Sequence, residues 1–159
     1  MSQQQTPSDR LASLGYELPE APNPVAAYVP SKRVGDLVYV SGQIPLSEGA
    51  LLASGRVPDE VSEDLAVDAA RQCALNALAV LATQSPKGLD GVAEIIRLGV
   101  FVQCTGEFTG QPSVANGASE LMESVFGPDG RHVRAAVGSI SLPLNAPVEV
   151  ELLARMHPD

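Results

Sequence analysis

The stretch Val38-Tyr39-Val40-Ser41-Gly42-Gln43-Ile44-Pro45 decides how this chain folds. Valine and tyrosine favour a pleated strand, and the run begins just after the turn-forming pair Gly35-Asp36. Gly42 frees the backbone, and Pro45 has no N–H with which to continue a central ladder, so we expect the strand to end there. A hydroxyl, a bare backbone position and an amide then stand together at the end of a buried strand. This arrangement predicts a small-molecule pocket.

The composition predicts one globular domain whose sheet needs cover from outside the chain. The 159 residues are 45% hydrophobic and 18% charged, which is typical of a single compact domain. Aromatic residues make up only 4% and tryptophan is absent, so the core must consist of Ala, Val, Leu and Ile. With so few large side chains available, we expect a second subunit to cover one face of the sheet.

The charge of the chain argues against a nucleic-acid partner. The formal net charge is −9, from 10 basic and 19 acidic residues. A surface that binds nucleic acid needs clustered cations to displace counterions from phosphates, and the few cations here form no stripe at helical spacing.

Cysteines, histidines and the N-terminus give no sign of a metal site or a membrane segment. Cys73 and Cys104 belong to no CxxC pair, and we expect two buried free thiols. His132 and His157 have no acidic or cysteine neighbours at ligand spacing, and we expect both at the surface. The segment Met1–Thr6 has neither a basic start nor an apolar run, so a cytoplasmic location without a signal peptide or membrane span is the default expectation.

The N-terminal residues predict a short extension ahead of the main domain. Thr6-Pro7-Ser8-Asp9 has the features of a helix start, with threonine as N-cap, proline at the first position and an acid in the first turn. Three prolines between Pro19 and Pro24 predict a stiff linker. We therefore divide the chain into an extension, 1–24, and a single domain, 25–159.

The main domain has the predicted element order β-β-α-β-α-β-β. Ser62, followed by Glu63 and Asp64, is a typical N-cap of a long helix. This order predicts an α+β fold with a mixed or antiparallel sheet and both helices on one face. The predicted strands are 26–34, 36–42, 95–102, 133–140 and 148–154, and the predicted helices are 62–85 and 113–126, with a loop over 46–59.

Arg134 and a glutamate of the last strand are the best candidates for chemistry on a small anion. Arg134 begins an apolar strand among small residues, and its planar guanidinium matches a carboxylate in a two-point contact. An edge-strand charge or a structural ion pair is the alternative explanation. Glu149 and Glu151 share one face of the last strand. A tight turn at Leu142-Pro143 would place all three charges on one face, and a one-residue slip would separate them, so the sequence leaves both registers open.

A series of features resembles the Rid/YjgF-like family of reactive-intermediate (enamine/imine) deaminases. In chain order they are Tyr28, Ser41-Gly42-Gln43-Ile44-Pro45, Phe101-Val102, Asn116, Arg134, Leu142-Pro143 and Glu149-Val150-Glu151. The resemblance extends from about Asn23 to Ala154, which is nearly the whole main body.

The resemblance implies a chorismate-mutase-like α+β fold, assembled as a homotrimer with pockets at the subunit interfaces. It implies hydrolysis of 2-imino or 2-enamino acids to 2-oxo acids and ammonia, without a cofactor or a metal. By position, Arg134 would bind the carboxylate of a small substrate and Glu149 would orient or activate water. The residues that would line or support the pocket are Tyr28, Ser41, Gly42, Asn116 and Ala136.

Two departures leave the substrate open. Ala135-Ala136 stand where well-known deaminases of this family have Ser and Cys, and residues 6–24 resemble a longer branch of the family. An endoribonuclease, as some members have been called, is the main alternative, although the charge of −9 counts against it. A non-catalytic trimer that binds a small ligand is the other.

Overall fold

The structure, a computed structural model, describes residues 5–22 and 27–158. Its helices are α1 (Pro7–Ser13), α2 (Glu63–Ala82) and α3 (Gln111–Phe126). Its strands are β1 (Ser31–Val34), β2 (Leu37–Gln43), β3 (Leu46–Ser47), β4 (Ala50–Leu51), β5 (Val92–Gln103), β6 (Val133–Ser139) and β7 (Val148–Met156). Apart from the small β3–β4 hairpin, this is the predicted order.

Five strands form one mixed sheet in the order β1-β2-β7-β5-β6. β5 and β6 are parallel, and every other neighbouring pair is antiparallel. Helices α2 and α3 pack on each other and on one face of this sheet, where alternate residues of β5 and β7 are buried. The predicted α+β class, with a mixed sheet and two long helices on one face, is confirmed.

Helix α2 lies at the centre of the core. It begins after Ser62, whose Oγ accepts a hydrogen bond from the backbone N–H of Leu65 at 3.2 Å, as the N-cap prediction requires. By length and composition α2 could cross a membrane, but 67% of that stretch is buried inside the fold, so it serves as a core helix. Its buried small residues allow close packing on the sheet: Ala66, Ala69, Ala70, Ala74 and Ala77.

Several element boundaries differ from the prediction. The predicted first strand starts at Ala26, but residues 27–30 are not in a strand and β1 begins at Ser31; residue 26 lies outside the described residues. The predicted loop 46–59 contains the short hairpin of β3 and β4. Strand β5 begins at Val92, three residues before the predicted start. Apolar residues before Ile95 extend the strand because the core covers them.

The N-terminal helix α1 is present and packs against the end of α3. Thr6 and Asp9 form a reciprocal cap, as the sequence predicts. Arg10 Nη1 donates to the carbonyl of Val125 at 3.2 Å, close to the C-terminus of α3, where a cation is favoured. The predicted boundary between 1–24 and 25–159 falls within residues that the structure does not describe, so that division stays a prediction.

Candidate active site

Arg134 lies on the edge strand β6 and faces helix α3. Its Nη1 donates to Asn116 Oδ1 at 2.8 Å and to Ser119 Oγ at 3.1 Å, and its Nη2 donates to the carbonyl of Pro112 at 3.3 Å. A guanidinium has five N–H donors, so the Nε–H and one Nη2–H have no acceptor among the residues the structure describes. Among these described residues, no carboxylate lies within ion-pair distance of Arg134. The exposed guanidinium is therefore held in place with donors left over for an anion.

A polar relay behind Arg134 was not predicted from the sequence. His132 Nδ1 lies 2.6 Å from the carbonyl of Gly130, and its Nε2 lies 2.9 Å from Ser119 Oγ. Because a carbonyl only accepts, Nδ1 bears the proton, and in the neutral imidazole Nε2 then accepts from the serine hydroxyl. The serine oxygen is then free to accept from Arg134. His132 is half-buried rather than a free surface residue, and the cavity of about 510 Å³ that it lines also contains Arg134 and Asn116.

Glu149 lies on the opposite face of the sheet, where the helices do not pack. Its side chain occupies the space beside Gly42: a Cβ built on Gly42 would stand 3.1 Å from the Cγ of Glu149 and collide with its carboxylate. The backbone bulge between Val40 and Gln43 accompanies this close approach. Partial burial raises the pKa of Glu149, and the neighbouring charge of Glu151 adds to the effect.

Glu151 is committed to a different partner. Its Oε1 accepts from Arg97 Nη1 at 2.8 Å, and it lies over Gly99, whose missing side chain makes room for it. Glu149 has no ion pair within the described ranges, 5–22 and 27–158. The two carboxylates thus lie against two different glycines on either side of β7: Glu149 against Gly42 of β2, and Glu151 against Gly99 of β5. Of the two, Glu149 is the one that remains available for chemistry.

Arg134 and Glu149 do not meet within one chain. Strand β6 pairs in parallel with β5, so β6 and β7 do not form the hairpin assumed in both registers considered from the sequence. Arg134 pairs with Leu98 on the helix-covered face, whereas Glu149 pairs with Phe101 on the other face. The expectation that a turn at Leu142-Pro143 sets their distance is therefore wrong, because β5 separates the two strands.

The remaining predicted residues divide between the two faces. Ser41 and Gly42 lie at the β2 bulge near Glu149, and the backbone N–H of Ser41 donates to the carbonyl of Pro30 at 2.9 Å. Tyr28 precedes this contact by two residues and is 53% exposed. Ala136 is half-buried on β6 and shares the helix-side face with Arg134.

A buried asparagine of α2 secures the chain after the bulge. Asn76 is 4% exposed, and its Nδ2 donates to the carbonyls of Ile44 and Leu46, each at 3.0 Å. These carbonyls follow the end of β2, and each also accepts a second hydrogen bond, Ile44 from the backbone N–H of Leu46 and Leu46 from Gln72 Nε2. The core helix thereby holds the strand end next to Ser41 and Gly42.

The fold and site define a small α+β domain of the chorismate-mutase-like type, with an arginine that keeps unused donors on an edge strand and a carboxylate on the open sheet face. The chain belongs to the YjgF/chorismate-mutase-like family, whose model matches residues 8–156 and whose description provisionally adds endoribonuclease. The match covers all five strands of the main sheet and both long helices.

Similar proteins carry different names. Protein TCP17 of Trypanosoma cruzi is 40% identical over 149 residues, which are 92% of each chain. The 2-iminobutanoate/2-iminopropanoate deaminase of Dermatophagoides farinae is 28% identical over 134 residues, 84% of this chain and 88% of that protein. A solved structure from Shewanella oneidensis, provisionally called an endoribonuclease, has a TM-score of 0.90 and 33% identity and covers 96% of this chain and 100% of its own.

Proposed function

We propose that this protein is an enamine/imine deaminase that hydrolyses 2-imino acids to 2-oxo acids and ammonia, at sites formed between subunits of a homotrimer. The observation that supports it best is the state of the two charged groups. Arg134 has unused donors at a free sheet edge, and Glu149 has a raised pKa and no ion pair. The deaminase name of a relative agrees with this chemistry.

The binding step uses the guanidinium of Arg134. Asn116, Ser119 and Pro112 fix its plane before any ligand arrives, so little conformational freedom is lost when a carboxylate binds. The unused Nε–H and Nη2–H suit a two-point contact with the substrate carboxylate. Lysine would keep the charge and lose this geometry.

The hydrolytic step uses Glu149 as a proton carrier. Water adds to the carbon of the protonated imine, the carboxylate takes a proton from that water, and the C=N electron pair moves to nitrogen. Glu149 then passes the proton to nitrogen, the C–N bond breaks, ammonia leaves, and the hydroxyl proton is lost to solvent as the 2-oxo acid forms. A carboxyl whose pKa is raised above its ordinary value suits both transfers better than an ordinary glutamate does.

A coupled assay tests this proposal directly. An amino-acid oxidase generates the imine, and the appearance of 2-oxo acid is followed with and without the protein. We expect acceleration by wild type, loss in Arg134→Ala, only partial recovery in Arg134→Lys, and a fall of about 100-fold in Glu149→Gln. Arg71→Ala removes an arginine that is paired with Asp68 on the surface of α2, and it should behave like wild type.

Two outcomes would replace the proposal. If wild type accelerates no imine and still binds 2-oxo acids through Arg134, the protein is a ligand-binding trimer. If purified protein degrades RNA and Arg134→Ala removes that activity, the endoribonuclease name of the Shewanella relative applies here too. The net charge of −9 leads us to expect no such degradation.

A further inference from the structure

Helix α3 holds the guanidinium of Arg134 by uncharged groups. The acceptors belong to residues spaced by four and three positions, so they lie along one side of the helix. They are the carbonyl of Pro112, Oδ1 of Asn116 and Oγ of Ser119. Glu123, one turn beyond on the same side, pairs instead with Arg131 at 3.0 Å. Because none of the three acceptors is charged, the guanidinium keeps its full charge for an incoming anion.

The hydroxyl of Ser119 can accept from Arg134 only while its own hydrogen points elsewhere. A serine inside a helix often donates that hydrogen to the backbone carbonyl one turn back, which competes with other contacts of the oxygen. Here Ser119 Oγ lies 2.9 Å from His132 Nε2 and 3.1 Å from Arg134 Nη1. The neutral imidazole accepts a hydrogen bond from the hydroxyl, and a lone pair of the serine oxygen is then left for the arginine.

The ring of His132 is fixed at its other nitrogen as well. Its Nδ1 lies 2.6 Å from the carbonyl of Gly130. Gly130 is buried against the backbone of α3, where a Cβ would collide with the carbonyl of Met122 and stand 2.9 Å from the Cα of Glu123. The imidazole is therefore anchored to α3 at both nitrogens, through Gly130 and through Ser119.

These contacts leave His132 no free nitrogen for chemistry on a ligand. The carbonyl of Gly130 occupies Nδ1, and the hydroxyl of Ser119 occupies Nε2. Ser119 Oγ in turn receives a donor of Arg134. Any effect of His132 on a ligand therefore passes through Ser119 and Arg134.

We propose that His132 is a positioning residue of the carboxylate site. It keeps Ser119 as a hydrogen-bond acceptor, and Ser119 helps to hold Arg134 in the orientation that leaves its Nε–H and one Nη2–H free for a carboxylate. This inference rests on the proposed function for its reaction, and it adds a residue on which recognition of the substrate carboxylate depends. The carboxylate is bound in the ground state and in the transition state alike, so loss of His132 should raise KM and leave kcat nearly unchanged.

The tautomer of His132 tests the first contact without any ligand. Two-bond ¹H–¹⁵N spectra of the ¹⁵N-labelled protein at mildly alkaline pH show which ring nitrogen bears the proton. We expect the proton of His132 on Nδ1 and an unprotonated Nε2 that accepts a hydrogen bond. His157, which is exposed, is the internal control and should show both tautomers in exchange. A proton on Nε2 of His132 would overturn the inference.

Two substitutions separate the roles of the two ring nitrogens. Glutamine can place an amide oxygen near the position of Nε2 and accept from Ser119, whereas asparagine is shorter and can serve only Gly130. We expect His132→Asn to weaken binding of 2-oxobutanoate, followed by NMR titration, about 10-fold, and His132→Gln to stay within about threefold of wild type. Ser119→Ala should match His132→Asn, and the double variant should bind no more weakly than either, because both changes remove one contact.

The coupled assay adds a kinetic readout with matched controls. His132→Asn should raise KM about 10-fold at nearly constant kcat, whereas Glu149→Gln should lower kcat. His157→Gln and Ser113→Ala replace an exposed histidine and an exposed serine, and both should match wild type in binding and in rate.

The outcomes keep this inference apart from the deaminase proposal. Binding of 2-oxobutanoate that is lost in His132→Asn and recovered in His132→Gln, without hydrolysis of any imine, would reject the deaminase and keep the positioning role. Hydrolysis by a His132→Asn variant that binds and reacts like wild type would keep the deaminase and reject the positioning role. Equal losses in both His132 variants, or no binding by wild type, would also reject it. If neither variant folds, the tautomer in wild type decides alone.

Discussion

At the scale of single residues, the raised pKa of Glu149 makes the stability of the fold depend on pH. Its carboxyl is half-buried beside Gly42 and near Glu151, and burial with this like charge raises its pKa. Between the ordinary glutamate pKa and the raised value, the folded chain binds more protons than the unfolded chain. Its contribution to stability therefore declines as pH rises through that window.

Replacing Glu149 should make the protein more stable at neutral pH. Glu149→Gln removes the buried charge and keeps the shape, so thermal unfolding at pH 7 should occur at a higher temperature than in wild type. The difference should shrink as pH falls below the raised pKa, where Glu149 is protonated in the folded state. Differential scanning calorimetry from pH 4 to 8 measures it; Ser113→Ala, on the surface of α3, should follow wild type. A variant less stable than wild type at pH 7 would show that the carboxylate has favourable partners.

At the scale of elements, the contact between α2 and α3 depends on a residue that helix propensity disfavours. Gly117 lies inside α3, where glycine costs about 1 kcal/mol relative to alanine. A Cβ at this position would collide with the backbone carbonyl of Val67 on α2. A backbone atom cannot rotate away, so the packing effect should outweigh the propensity gain.

The sign of one substitution decides between these two effects. Gly117→Ala should lower the free energy of unfolding by about 1–3 kcal/mol, because the helices must move apart. Urea unfolding followed by circular dichroism measures it. Ser113→Ala on the exposed side of α3 is the matched control and should change stability by less than about 0.5 kcal/mol. An increase in stability for Gly117→Ala would mean that α2 and α3 pack less closely at Gly117 and Val67 than they do in the structure.

At the scale of the whole molecule, the exposed apolar side chains on the open face of the sheet lead us to expect a partner subunit there. Tyr39, Val133 and Val137 are 51%, 66% and 46% exposed on this face or its edge, and the helices cover only the other side. Arg134 and Glu149 also lie on opposite faces of one chain, so a site that uses both requires two chains. A cyclic trimer would provide this contact three times.

Mixing two inactive variants tests the assembly and the shared site together. Light scattering should give about 50 kDa for wild type, three times the 16.5 kDa of one chain. Arg134→Ala and Glu149→Gln, unfolded together and refolded at equal amounts, should regain about a quarter of wild-type activity, because that share of interfaces pairs an intact arginine with an intact glutamate. Each variant refolded alone is the control. A stable monomer, or no recovery on mixing, would contradict a site between subunits.

Much of the fold could be predicted from local chemistry. Ser62 caps α2 because a serine oxygen satisfies a free N–H, and β2 ends before Pro45 because proline cannot donate. The residue types for anion binding and proton transfer were also recognisable, although their roles stay predictions. Ser119 and His132 were missed, since their meaning depends on the position of Arg134 against α3.

The sequence by itself determined the order of the main elements, the N-caps of α1 and α2 and the alternation that puts Glu149 and Glu151 on one face of β7. Only the tertiary structure decided that β6 pairs with β5 and not with β7, which places Arg134 and Glu149 on opposite faces. The reason is physical: caps and alternation depend on neighbours within a few residues, whereas strand pairing depends on which distant surfaces bury best together.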